Sequence, residues 1–72
     1  MNIPPENIIA AFCCAQRVHA GMSEARFAAR VGVRTDQIVA AEKCRRIARK
    51  ARAKLIEKLG LAEWWEGLHA RD

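Results

Sequence analysis

Gly32 sits between two short, apolar-patterned segments, and that placement limits what this chain can fold into. Upstream, Ser23 can cap a helix, because its hydroxyl accepts from an otherwise unpaired backbone N–H. Phe27, Ala28 and Val31 then recur at helical spacing on one face. The helix must stop at Gly32, since glycine takes the left-handed conformation without a Cβ clash. Val33 follows as a buried plug. Thr35 or Asp36 can cap a second helix, which carries Ile38 and Ala41 on its inner face. Two short helices hinged at a glycine are the grammar of a helix-turn-helix. That motif commonly holds its second helix out from the body, ready for a DNA major groove.

The rest of the chain also reads as helix. Pro5 at a first helical position and Glu6 in the first turn start helix 1. It should run to about His19, with Ile9, Phe12, Cys13 and Gln16 facing inwards, and end at Ala20-Gly21. Helix 2 covers Glu24 to Val31, and helix 3 about Thr35 to Lys43. Helix 4 covers about Ile47 to Leu59, with Ile47, Ala51, Leu55 and Leu59 spaced by four, and Gly60 ends it. A short helix 5 runs from Leu61 to about Leu68. Prolines are confined to Pro4 and Pro5, and no β-branched run reaches strand length. One all-α domain over residues 1–72 is expected. A chain of 72 residues has a small core, and such chains gain most from dimerisation.

The central segment resembles the Cro/C1-repressor (Xre-like) helix-turn-helix family. Family members open helix 2 with a leucine-serine pair, place Leu-Ala in its middle, follow with Gly-Val, and close helix 3 with an Ile and then a Glu. Here those places hold Met22-Ser23, Phe27-Ala28, Gly32-Val33, Ile38 and Glu42. Arg17 stands where the family has a helix-1 arginine, which often pairs with the closing glutamate. The stretch from Leu55 to Trp65 looks like the family's last two helices. The resemblance covers nearly the whole chain. It implies a compact five-helix bundle of the lambda-repressor-like type, an Arg17–Glu42 ion pair, and double-stranded DNA as partner. One departure lies at Cys44, where the family commonly has a glycine ending helix 3. Cysteine is strained in the left-handed conformation. Either a strained turn forms there or helices 3 and 4 run partly together; the turn is the expectation.

Charge is placed unevenly. The chain carries 13 Lys and Arg against 8 Asp and Glu, a net charge of +5. Residues 1–16 hold one acid and no base. Lys43, Arg45, Arg46, Arg49, Lys50, Arg52 and Lys54 then follow with no acid among them. Such a cluster suits DNA phosphates. The plainer reading is a solvated face that keeps a small protein in solution.

By position in the family, Arg34, Thr35, Asp36, Val39 and Ala40 would meet bases. Lys43, Arg45, Arg46 and Arg49 would lie near the backbone phosphates. Arg34 suits a guanine, and Val39 and Ala40 suit thymine methyls. Asp36 and Glu24 fit poorly, because both acids stand on the face that should meet a polyanion. Family members often carry a glutamine where Glu24 stands, and a glutamate has no proton to donate at neutral pH. An acidic, small-apolar helix flanked by arginines also suits docking on a protein. Two functions are therefore expected of this face: a homodimeric DNA-binding regulator, or a phage-type protein that binds and inhibits a host regulatory protein such as a transcriptional activator.

Other features carry plainer meanings. Three cysteines, two of them adjacent, do not make a disulfide framework. Cys13, Cys14, Cys44 and His19 match no common zinc spacing, so Cys13 reads as a small core hydrophobe. His19 and His69 read as surface or helix-end residues. No nucleophile–base pair, paired carboxylates or phosphate-binding glycine loop is visible, so an enzyme is not expected. No cofactor, metal, small-molecule or membrane partner is expected either. Trp64 and Trp65 point about 100° apart on a helix. One should seal the core, and the other should lie half exposed in a dimer contact with Leu61 and Leu68. The start, Asn2-Ile3-Pro4-Pro5-Glu6, lacks the basic region of a signal peptide, and a cytoplasmic setting is expected.

Overall fold

The computed structural model describes residues 5–69, and the side chain of His69 lies outside that description. Among the described residues all regular structure is helical. The helices are α1 (Pro5–His19), α2 (Glu24–Val31), α3 (Thr35–Glu42), α4 (Arg49–Lys58) and α5 (Ala62–His69). Their Cα atoms have a radius of gyration of 11.7 Å. No helix among the described residues is long and apolar enough to cross a membrane.

Local chemistry sets most helix ends. Ser23 Oγ accepts from the Arg26 backbone N–H at 3.2 Å and starts α2. Gly32, at φ 91°, ends it, and the Gly32 and Val33 N–H groups both donate to the Ala28 carbonyl. The cap of α3 differs from expectation. It falls on Arg34, whose side chain has no acceptor. Gln37 takes over: its Oε1 accepts from the Arg34 backbone N–H at 2.9 Å. That is half of a capping box, with the reaching residue present and the hydroxyl missing.

The α3–α4 junction is a turn. Cys44 sits at φ 61°, the one left-handed residue other than glycine among those described. The Cys44 N–H donates to Ala41 O at 3.1 Å, and the Arg45 N–H to Ala40 O at 2.9 Å. These are the two bonds of a Schellman ending, with cysteine in the place glycine normally fills. The same pair recurs at the end of α4. There Gly60 donates to Glu57 O at 3.1 Å and Leu61 to Ile56 O at 2.9 Å. Residues 45–48 then run without helix, so α4 begins at Arg49 rather than near Ile47. Ile47 still packs partly against the core.

The core joins all the helices but relies on few side chains. Ile38, Leu55 and Cys13 are its largest fully buried members. Ile9, Phe27, Ala28, Val31, Ala41, Ile56, Leu59 and Leu61 close around them. Two residues expected to face inwards do not. Phe12 is 45% exposed, because α1 turns Ile9, Ala10 and Cys13 to the core and Phe12 lies about 100° round from Cys13. Gln16 is exposed, yet its Nε2 donates to Leu59 O at 2.9 Å and ties α1 to the end of α4.

Candidate functional site

Helix α3 positions the candidate site, and Arg17 fixes α3. Arg17 Nε donates to Glu42 Oε2 at 2.7 Å, and its Nη2 to Glu42 Oε1 at 3.0 Å. The same guanidinium reaches the Met22 carbonyl through Nη1 at 3.1 Å. One arginine on α1 thus holds both the end of α3 and the entry to α2. A two-pronged bond of this kind fixes angle as well as distance. The bond to Glu42 holds the Arg17 guanidinium in its charged form well above the ordinary arginine range. Cys13 lies beneath the pair, 3.6 Å from Glu42 Oε2. Burial first, and then the Glu42 charge, push its thiol up to about 12. Cys13 therefore stays a neutral thiol at any physiological pH.

With its inner face held this way, α3 turns a defined face outwards. Ile38 and Ala41 are buried, while Thr35, Asp36 and Lys43 are exposed and Val39 and Ala40 half-buried. A concavity of about 200 Å³ runs beside this face, lined by residues that include Arg34, Asp36, Gln37, Ala40 and Arg46. Arg34 and Asp36 are bonded to each other. Arg34 Nε meets Asp36 Oδ1 at 3.1 Å, and Nη2 meets Oδ2 at 3.2 Å. Both side chains are open to solvent, at 75% and 70%, so the pair adds little stability. It changes the electrostatics instead: the acid is neutralised locally, and the arginine has two of its N–H groups engaged.

Each of the two awkward acids has a local structural role. Asp36 lies in the first turn of α3, and Glu24 in the first turn of α2. Carboxylates there are stabilised by the positive end of the helix dipole.

The basic run divides by position. Lys43, Arg45, Arg46, Arg49 and Lys50 are exposed. They occupy the end of α3, the following loop and the first turn of α4. Lys54 is engaged in structure, with Nζ 3.3 Å from the Gly32 carbonyl. Arg52 lies with Cζ 5.1 Å from the centroid of the Trp65 ring. Five exposed cations of the run therefore lie between the end of α3 and the first turn of α4.

The C-terminal group is arranged differently from expectation. Leu61 is 8% exposed and belongs to the chain's own core. Trp64 and Trp65 are both half-buried against that core, with ring centroids 5.9 Å apart and planes at 60°. Neither ring is fully inside or fully free. Leu68 is 45% exposed. Most of the apolar area expected to meet a second subunit here is turned towards the chain's own core. Among the described residues, no three His, Cys, Asp or Glu side chains group as a metal would require.

Sequence reasoning missed Gln37 altogether, and it missed the bonds, though not the residues, of Gln16 and Lys54. Gln37 carried a usable signal, standing three residues after the cap position. Gln16 and Lys54 bond backbone carbonyls distant in sequence, for which no local pattern exists. The chain matches no known family model, no curated protein and no solved structure.

Proposed function

We propose that this chain is a small Xre-like helix-turn-helix regulator. On this reading it binds double-stranded DNA as a homodimer in the cytoplasm, with α2 and α3 as the motif. The supporting observation is the outward face of α3. Along it Thr35, Asp36 and Lys43 are exposed and Val39 and Ala40 half-buried, with exposed Arg45, Arg46 and Arg49 immediately beyond. In this reading α3 enters a major groove. Val39 and Ala40 touch base edges or thymine methyls. Lys43, Arg45, Arg46 and Arg49 bind phosphates and make affinity fall steeply with salt. Arg34 exchanges Asp36 for a base or a phosphate on binding.

One observation favours a second reading. The Arg34–Asp36 pair presents a mixed-charge knob beside small apolar residues. That suits a protein surface better than a polyanion, and the partner would then be a host regulatory protein such as a transcriptional activator. Asp36→Asn separates the two. On the DNA reading it frees Arg34 and removes an acid from the groove, so affinity for duplex is unchanged or up to about tenfold tighter. A loss of duplex affinity on this substitution contradicts that account of the pair. On the second reading Asp36→Asn weakens docking on a basic partner and leaves duplex binding negligible.

A further inference from the structure

The outward side of α1 is apolar, and the chain's own core does not cover it. Ile8, Ala11, Phe12, Ala15 and Val18 fall at the spacing of one helix face. Cys13 and Arg17, which meet Glu42 on α3, lie on the opposite side of the helix. Phe12 is 45% and Val18 62% exposed, Ala11 and Ala15 are exposed beside Phe12, and Ile8 at the start of the face is half-buried. Between Glu6 and Arg17 the helix carries no charged residue. A surface helix normally sets one stripe on the core and charges towards water. A helix apolar on both sides is one that is covered on both sides.

We infer that a second copy of this chain covers this face, by antiparallel packing of α1 against α1 about a two-fold axis near Phe12 and Ala15. Shape supports that occupant. Ala11 and Ala15 flank Phe12, so in a two-fold arrangement each ring settles over the alanines of the other copy. Charge supports it too. In a chain of net charge +5, the exposed faces around α3 and α4 would bring Lys and Arg against Lys and Arg. The α1 face lets two such chains meet without like-charge repulsion.

Area sets the strength. Fifteen residues of helix span about 22 Å, so this contact buries less than the roughly 800 Å² per partner of a standard interface. The dimer is therefore weak and concentration-dependent. It leaves α3 open, since α3 packs on the far side of α1. The inference rests on the homodimer of that reading and names its surface; its test contains no DNA, and a dimer that survives Ala15→Glu overturns the surface while leaving the homodimer.

Sedimentation equilibrium from about 10 µM to about 1 mM tests it. The wild-type mass rises from monomer towards dimer across that range. Ala15→Glu changes an exposed helix position to a good helix former, so circular dichroism and Tm stay as wild type. Its self-association weakens at least about tenfold. Leu68→Glu, on α5, self-associates as wild type. A wild-type chain that stays monomeric throughout overturns the inference. So does a dimer that survives Ala15→Glu, or one that Leu68→Glu abolishes.

Discussion

Helices α1 to α3 and helices α4 to α5 are held by different means. In the first block the ends are specified locally. Ser23 and Gln37 start helices, Gly32 stops one, and Arg17 bonds Glu42 and Met22 at once. The second block lacks such devices at its start. Helix α4 begins at Arg49 behind Ala48, which offers no side-chain cap, and its first turn holds Arg49 and Lys50 and no acid. Cations there oppose the helix dipole. Burial compensates: Leu55, Ile56, Leu59 and Leu61 hold α4 and its exit to the core. The contrast places local instability where the exposed cations are. A helix start optimised for stability would carry Ser or Asp and an acidic first turn, and would lose the positive surface.

The contrast can be broken at several points. Leu55→Ala should have the largest effect, because Leu55 is fully buried in the block that depends on burial. Urea denaturation should lose about 2–5 kcal/mol. Tryptophan fluorescence from α5 and circular dichroism from all helices should still shift together. Separate transitions would mean that the two blocks unfold independently.

Alkaline pH should act on the first block. The Cys13 thiol is raised from its ordinary 9.0 to about 12 by burial and by Glu42. A group whose pKa is raised by folding contributes stability that is complete below its unfolded value. That stability is lost as pH rises through the folded value. The Tm should therefore hold up to about pH 9 and fall progressively towards pH 12. In parallel, a thiol reagent at neutral pH should label exposed Cys44 at once and buried Cys13 only on unfolding.

Two backbone substitutions sharpen the comparison further, with opposite signs. Gly32→Ala should cost about 1–2 kcal/mol. An added Cβ there meets nothing within 4 Å, so the penalty is that of the left-handed backbone alone. Cys44→Gly should stabilise by about 1 kcal/mol, since it relieves the same strain at the junction of the two blocks. Denaturant midpoints measure both. A neutral Cys44→Gly would mean that the turn gains something from its side chain.

Legibility in the sequence followed the same division. Where a boundary rests on one residue, as at Ser23 or Gly32, the pattern gave it closely. The Arg17–Glu42 pair was expected only through resemblance, since nothing local links residues so far apart. Where a boundary rests on tertiary packing, local pattern does not locate it. Helix 4 was expected from Ile47, because Ile47, Ala51, Leu55 and Leu59 share a spacing. Ile47 instead packs from a non-helical segment, which a helical periodicity cannot distinguish. Phe12 was expected inside with Ile9 and Cys13, whereas α1 is oriented by Cys13 and Arg17 against Glu42, which leaves Phe12 at the edge. At the candidate site, Asp36 and Glu24 looked like obstacles to DNA. Their first-turn positions, and the bond from Arg34 to Asp36, give both acids a local role that sequence position alone leaves ambiguous.

On the proposed function, the outward face of α3 reads duplex DNA. Selection of preferred duplexes from a random library, with a salt titration on random-sequence duplex beside it, tests that claim most directly. The account predicts enrichment of one palindromic motif, with weaker and strongly salt-dependent affinity for random duplex. No enrichment, with negligible binding even at low salt, would contradict it. The same helices would then be a scaffold for gripping another protein.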